Sequence, residues 1–236
     1  MRTIISRALI VLFGLGCAAA GGEALEAEAV PSRHALWAAW NAMRGDAYEL
    51  DSVPRRLENP RARVECEREG LVEHRGTTVR YHGPVVVNAA FRERLERFET
   101  VLADVARETY GRAPRRIRHL GAYSCRRSRT RSHMVSEHAL GNAVDVLGFD
   151  FGPATKSEPL PEGLPKHLRG PFEVRVRKHW QATTPPTAEL HAKFLETLTE
   201  RLAERHDIFR SMFGPGHPGH ADHFHFDMAP WRWVDL

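Results

Sequence analysis

Ser136-Glu137-His138-Ala139-Leu140-Gly141-Asn142-Ala143-Val144-Asp145-Val146 places an imidazole and a carboxylate seven positions apart with a glycine between them. Its partner lies near the C-terminus, in His217-Pro218-Gly219-His220-Ala221-Asp222-His223-Phe224-His225-Phe226-Asp227. In an extended chain alternate side chains point to opposite faces, so His223 and His225 share one face while Phe224 and Phe226 share the other. One face is then chemical and the other is core. Three ligands drawn from His and Asp, with a fourth position left to water, describe a catalytic zinc site; structural sites are closed and often use thiolates. His138, Asp145 and one of His223 or His225 would supply that set. A chain with 14 histidines also produces His-x-His pairs by chance. The weight therefore rests on the conjunction of two motifs, each bounded by glycine and each on an expected buried strand.

These residues carry a resemblance. Ser-x-His-x-x-Gly-x-Ala-x-Asp followed much later by His-x-His resembles the zinc peptidase group that includes D-alanyl-D-alanine carboxypeptidases, murein endopeptidases and the hedgehog signalling domain. Tyr123-Ser124-Cys125-Arg126, then Ser136 to Val146 with Gly148-Phe149, then Phe213-Gly214-Pro215-Gly216 leading to His223-Phe224-His225-Phe226-Asp227, is similar to one branch, the bacterial extensin-like C-terminal domain family. The similarity runs over about residues 60 to 230, with the long middle segment matched loosely. It implies one zinc ion on His138, Asp145 and His225, with His223 beside it as base or as stabiliser of the intermediate. In those peptidases an arginine in the place of Arg126 holds a substrate carboxylate or the charged intermediate, a task suited to the planar guanidinium fork; Arg127 stands in reserve. Asp222 or Asp227 is expected to hold the free nitrogen of a ligating or catalytic histidine. Ser136 is expected to orient the loop or Asp145 by hydrogen bonding, and Glu137 reads as a solvated charge. The implied activity is hydrolysis of an amide bond in peptidoglycan peptides, as a carboxypeptidase or an endopeptidase. The hedgehog case keeps a second class of function in view, a zinc-stabilised cell-wall-binding module without chemistry. A third grammar fails: His223-x-His225-x-Asp227 begins like the metallo-β-lactamase motif, but Met228 stands where that pattern continues with His.

The first residues point to export. Arg2 and Arg7 precede an apolar run from Ala8 to Gly16, too short to span a bilayer but suited to a secretory leader, and Ala18-Ala19-Ala20 offers small residues for cleavage. Residues 1–20 are thus expected to be a signal peptide, 21–33 a flexible mature N-terminus, and 34–236 a single domain with no membrane span. Cys17 would permit a lipid anchor, but Gly14 occupies the position where such signals carry a larger aliphatic. Cys66 and Cys125 then remain, and in an oxidising periplasm or cell envelope they most simply form a disulfide, the other reading being two buried thiols. Family members commonly carry a further cysteine before the Gly214-Pro215-Gly216 turn; this chain has none, so no second bridge is expected.

The formal charge of +4, from 34 Lys+Arg against 30 Asp+Glu, becomes 32 − 30 = +2 without Arg2 and Arg7. Its distribution is less even, since Arg112 to Arg131 holds eight arginines and no acidic residue. Such a run is usually a solvated face or a nucleic-acid patch. Export turns the reading away from nucleic acid and toward a carboxylate-rich polymer such as cell-wall peptide.

Along the chain, His34 to Met43 has the apolar spacing of a short helix, and residues 51 to 63 read as an irregular connection. Thr77 to Val87 reads as strands around a Gly-Pro turn. Asn88 is placed to cap a helix through Tyr110, with Phe91, Leu95, Phe98, Leu102 and Val105 on its buried face and Gly111 at its end. Strands are expected over 116–123, 142–149 and 172–180, and a helix over 187–206. Residues 151–171 read as an insertion on the cleft rim that sets bond specificity, and His217 and His220 as mobile or substrate-facing loop residues. Mixed strands and helices with hairpin-like links indicate an α+β fold, an antiparallel sheet with helices on one side.

Overall fold

The computed structural model describes residues 47–236 except 60 and 62, together with the helical, exposed Leu36 and Ala39. The expected leader, the mature N-terminus and the rest of the helix over 34–43 lie outside the described residues.

The capping logic of Asn88 holds. Strand β1 (Leu71–His74) pairs antiparallel with β3 (Val85–Asn88), and between them runs the two-residue β2 (Arg80–Tyr81). Helix α1 (Ala89–Tyr110) starts where the Asn88 side chain accepts a hydrogen bond from the Ala90 N–H and stops at Gly111, which adopts φ 75°. Its expected stripe of Phe91, Leu95, Phe98, Leu102 and Val105 is wholly buried.

Strands β4 (Arg116–Gly121) and β5 (Ala143–Phe151) are neighbours in a second sheet. There follow β6 (Phe172–Arg175), the short α2 (Val176–His179), α3 (Thr187–Ala203), β7 (Ser211–Phe213), β8 (Phe224–Asp227) and β9 (Trp233–Asp235). The order across this sheet is β2-β4-β5-β8-β7-β9. One edge of β5 is shared: residues 143–146 pair with β8, and 148–151 with β6. The sheet is mixed and not wholly antiparallel, because β2 runs parallel to β4 and β9 parallel to β7.

Phe98 of α1 meets Phe226 with ring centroids 5.8 Å apart, and Phe194 of α3 meets Phe149 at 5.6 Å. Both long helices therefore pack against the apolar face of this sheet, and residues 145 and 225 point away from them. Keeping Phe149 and Phe151 on that apolar face requires a change of parity within β5. A bulge supplies it: Arg118 pairs with Gly148 but His119 with Val146, leaving Leu147 as the extra residue. Gly148 is held at φ 148°, and a Cβ there would lie 2.1 Å from the Val174 carbonyl oxygen.

Two expectations are corrected. The strand over 172–180 ends at Arg175, where the main-chain N–H donates to His179 Nδ1 (2.9 Å) and a helical turn begins. Residues 152–170 pack at the C-terminal end of α1, with Arg112 donating to the carbonyls of Gly152, Leu168 and Gly170; none of them lines the cleft that contains Asp145. Strands β1, β7 and β9 are additions to the expected elements. Among the described residues no helix is long and apolar enough to cross a membrane.

Candidate metal centre

Three elements deliver the cluster. His138 sits on a 3-10 turn, Glu137–Leu140, that Gly141 closes with φ 63°. A Cβ at Gly141 would lie 2.6 Å from the Asn88 nitrogen, whose N–H donates to the Gly141 carbonyl at 2.8 Å. The motif glycine is therefore required both by its turn and by the hairpin pressed against it. Asp145 stands on β5 and His225 directly across from it on β8.

His225 Nδ1 is 2.9 Å from Asp145 Oδ1, His138 Nε2 is 3.1 Å from His225 Nδ1, and His138 Nε2 is 3.2 Å from Asp145 Oδ1. Tetrahedral ligands with bonds of 2.0–2.1 Å stand about 3.3 Å apart, so this triangle is close to that of three ligands on one zinc-sized ion. The proton arrangement fits as well. His138 donates its Nδ1–H to the Ala122 carbonyl (2.5 Å) and His225 its Nε2–H to Asp227 Oδ2 (2.9 Å), which turns the lone pair of each ring toward Asp145. Three acceptors aimed at one point repel unless a cation or a proton lies between them. Burial alone would lower the pKa of His225, but its hydrogen bonds to Asp145 and Asp227 raise it to about 9. Burial opposes ionisation of Asp145 too, yet when protons take the place of a cation between these groups, hydrogen bonds from the protonated His138 and His225 rings hold its carboxyl well below the usual carboxylate range. The site strongly favours positive charge at its centre.

Of His223 and His225, it is His225 that joins His138 and Asp145 in the triangle. His223 Nε2 is 3.8 Å from Asp145 Oδ1, outside the triangle, while its Nδ1–H donates to Asp222 Oδ1 at 2.8 Å. Each aspartate thus holds one histidine, Asp222 the outer His223 and Asp227 the His225 of the triangle.

The cluster opens onto a cleft of about 360 Å³, with Arg126, Arg129 and Arg131 on one wall and Phe213, His223 and Trp233 on the other. Arg126 is half-buried; burial and the neighbouring Arg129 lower its pKa, and Asp145 works in the opposite direction. The reserve arginine, Arg127, binds the Ser132 carbonyl at 3.2 Å and does not line the cleft. His217 and His220 do line it, as half-buried rings. His217 Nδ1 donates to Asp235 Oδ2 at 2.7 Å, and His220 is pushed down to about 4 by burial and by the facing His225 and His223.

Two expectations change. Ser136 makes no side-chain capping bond and is placed through its main chain, its N–H donating to the Arg126 carbonyl (3.2 Å). Glu137 is buried and not solvated: Arg55 binds both its oxygens, and Asn142 Nδ2 donates to Oε2 at 2.6 Å. Nothing local to Arg55 in the sequence signals a partner so far along the chain. Cys66 and Cys125 form a disulfide with Cα atoms 5.8 Å apart, placing the bridge beside Arg126.

An α+β protein with a buried His-Asp-His constellation at the base of a cleft is the class that fold and site define. The sequence model of the family described as extensin-like protein C-terminus matches residues 46–179, more than half of the chain, and the protein belongs to that family. The match includes His138 and Asp145 and ends before His223 and His225. No curated protein and no solved structure matches this chain.

Proposed function

We propose that the protein is an exported zinc-dependent hydrolase of amide bonds in peptidoglycan peptides. The observation that carries this reading is the convergence of His138 Nε2, Asp145 Oδ1 and His225 Nδ1, whose atoms all lie within 4.8 Å of one another, at the base of an open cleft. These three residues would hold the ion. When bound, zinc supplies Lewis acidity, acidifying a water and polarising the scissile carbonyl.

The chain's own groups do the rest. His223, its Nδ1–H fixed on Asp222, turns Nε2 toward the cluster as the base that takes a proton from the attacking water and returns it to the leaving amine. Asp227 fixes the tautomer and orientation of His225. Arg126, on the cleft wall, offers two parallel hydrogen bonds to a substrate carboxylate or to the charge that develops on the carbonyl oxygen. Kinship to the wider zinc peptidase group is part of the same proposal and rests on the Ser-x-His-x-x-Gly-x-Ala-x-Asp and His-x-His patterns. The disulfide is compatible with export to an oxidising compartment.

The test is incubation of the purified full chain with peptidoglycan sacculi, with and without a chelator, followed by assay of new amine ends. Release that stops on chelation and resumes with zinc is expected. Binding with no new amine ends would instead identify a zinc-stabilised wall-binding module.

A further inference from the structure

The fold sorts the arginine run of residues 112–131 into separate tasks. Arg112 is buried and committed to main-chain carbonyls, and Arg118 Nε pairs with Asp150 at 2.6 Å. Arg126, Arg129 and Arg131 instead line the cleft, and among the described residues no carboxylate forms an ion pair with them. The acidic groups that line the same cleft are all engaged, Glu137 by Arg55 and both Asp145 and Asp227 by histidines. The unbalanced charge facing a ligand is therefore cationic.

A ladder of rings gives this charge a direction. His225 stacks on Phe213 with centroids 5.5 Å apart, and Phe213 and His217 stand edge-on to Trp233 at 5.4 and 5.6 Å. The guanidinium carbon of Arg131 lies 5.0 Å from the Trp233 ring centroid. A guanidinium placed over an indole is attracted by the ring and still carries N–H groups that fit a carboxylate.

We propose that Arg129, Arg131 and Trp233 form a distal anion subsite of the cleft, which holds a carboxylate-bearing stretch of the same polymer chain whose amide bond reaches the His138–Asp145–His225 cluster. This rests on the hydrolase reading for the identity of the polymer, but not for the existence of the subsite. Guanidinium recognises phosphate by the same fork, so the test must separate the two anions.

The experiment is co-sedimentation of the zinc-loaded full chain on ice with sacculi, native or with their carboxyls amidated by carbodiimide and glycinamide. Wild type is compared with Arg129→Gln, Arg131→Gln and the control Arg107→Gln, whose arginine pairs with Asp104 on α1. Amidation is expected to abolish most binding, and each cleft variant to weaken binding to native sacculi by about threefold to tenfold, with the control unchanged. Full retention on amidated sacculi would assign the anion to phosphate and overturn the proposal. So would weakening in fewer than both cleft variants, or equal weakening in the control. Amine ends are assayed in parallel samples at working temperature. If wild type releases none while the binding pattern holds, the hydrolase reading fails and the subsite stands.

Discussion

Arg55 Nε lies 2.9 Å from Glu137 Oε1 across 82 positions of sequence, and both side chains are buried. Around this pair the segment from Tyr48 to Leu57 packs against the stretch that carries His138. Tyr48 donates to Asn142 Oδ1 at 2.7 Å, Val135 N–H donates to the Arg55 carbonyl at 2.7 Å, and Leu57 N–H to the His133 carbonyl at 2.9 Å. Glu137 immediately precedes His138, so His138 inherits the placement of this buried salt bridge. Removing one member of such a pair strands a charge, so Arg55→Met is expected to cost about 3–5 kcal/mol in chemical denaturation. Arg55→Met combined with Glu137→Gln should recover part of that loss. A single-variant cost below about 1 kcal/mol, the range of an exposed pair, would show that the segment does not anchor the motif.

The two aspartates predict a separation of effects. Asp227→Asn removes the charge behind the ligand His225 and is expected to weaken zinc affinity by about tenfold to hundredfold, read by competition with a chromophoric chelator. Asp222→Asn touches only His223 and is expected to leave zinc affinity unchanged while slowing amine release. Equal losses of zinc in both variants would remove the distinction between ligand and base.

The legible parts of the molecule were those whose signals are local. The stripe of α1, the Asn88 cap and the Gly111 stop all lie within one segment, and each is found where the spacing puts it. The convergence of His138 and Asp145 with one of His223 or His225 was legible in the two motifs, while His225 in particular was implied only by the family resemblance. Strand β2 has two residues and β7 and β9 have three each, too few for alternation to show. The parity change at Leu147 and Gly148 was hidden in an apolar run, although a glycine inside a strand is the usual sign of a bulge. The bond between Asp227 and His225 was readable in principle, since residues two apart share a strand face. Asp222 lies just before β8, and its contact with His223 depends on loop geometry.

The disulfide predicts a cost on reduction. Cys66 and Cys125 are 59 positions apart, and closing a loop of that length removes about 4 kcal/mol of unfolded-state entropy in the chain-entropy model. Cys125 also lies between Ala122, which receives the His138 N–H, and Arg126 on the cleft wall. Reduction, or Cys66→Ser with Cys125→Ser, is expected to lower stability by about 2–5 kcal/mol in denaturant titrations. Zinc affinity should fall with it, and an unchanged unfolding midpoint would count against a structural role for the bridge.

Acid should destabilise the fold from a position remote from the cleft. His191 is buried on α3, its Nδ1 accepting from the Tyr110 hydroxyl at 2.8 Å and its ring 4.7 Å from that of His179. Burial pushes it down to about 4, with His179, His167 and Lys178 adding to the effect. In the unfolded chain the same side chain titrates near its ordinary value of 6.5. Between these values the unfolded state binds the extra proton, so stability falls as pH drops from about 6.5 to about 4, by at most about 3 kcal/mol from this residue. Tyr110→Phe combined with His191→Leu removes donor and acceptor together, which avoids leaving either one buried alone. Unfolding free energies measured from pH 7 to pH 4 should decline less steeply in the double variant than in wild type. Parallel profiles would place the acid sensitivity elsewhere in the core.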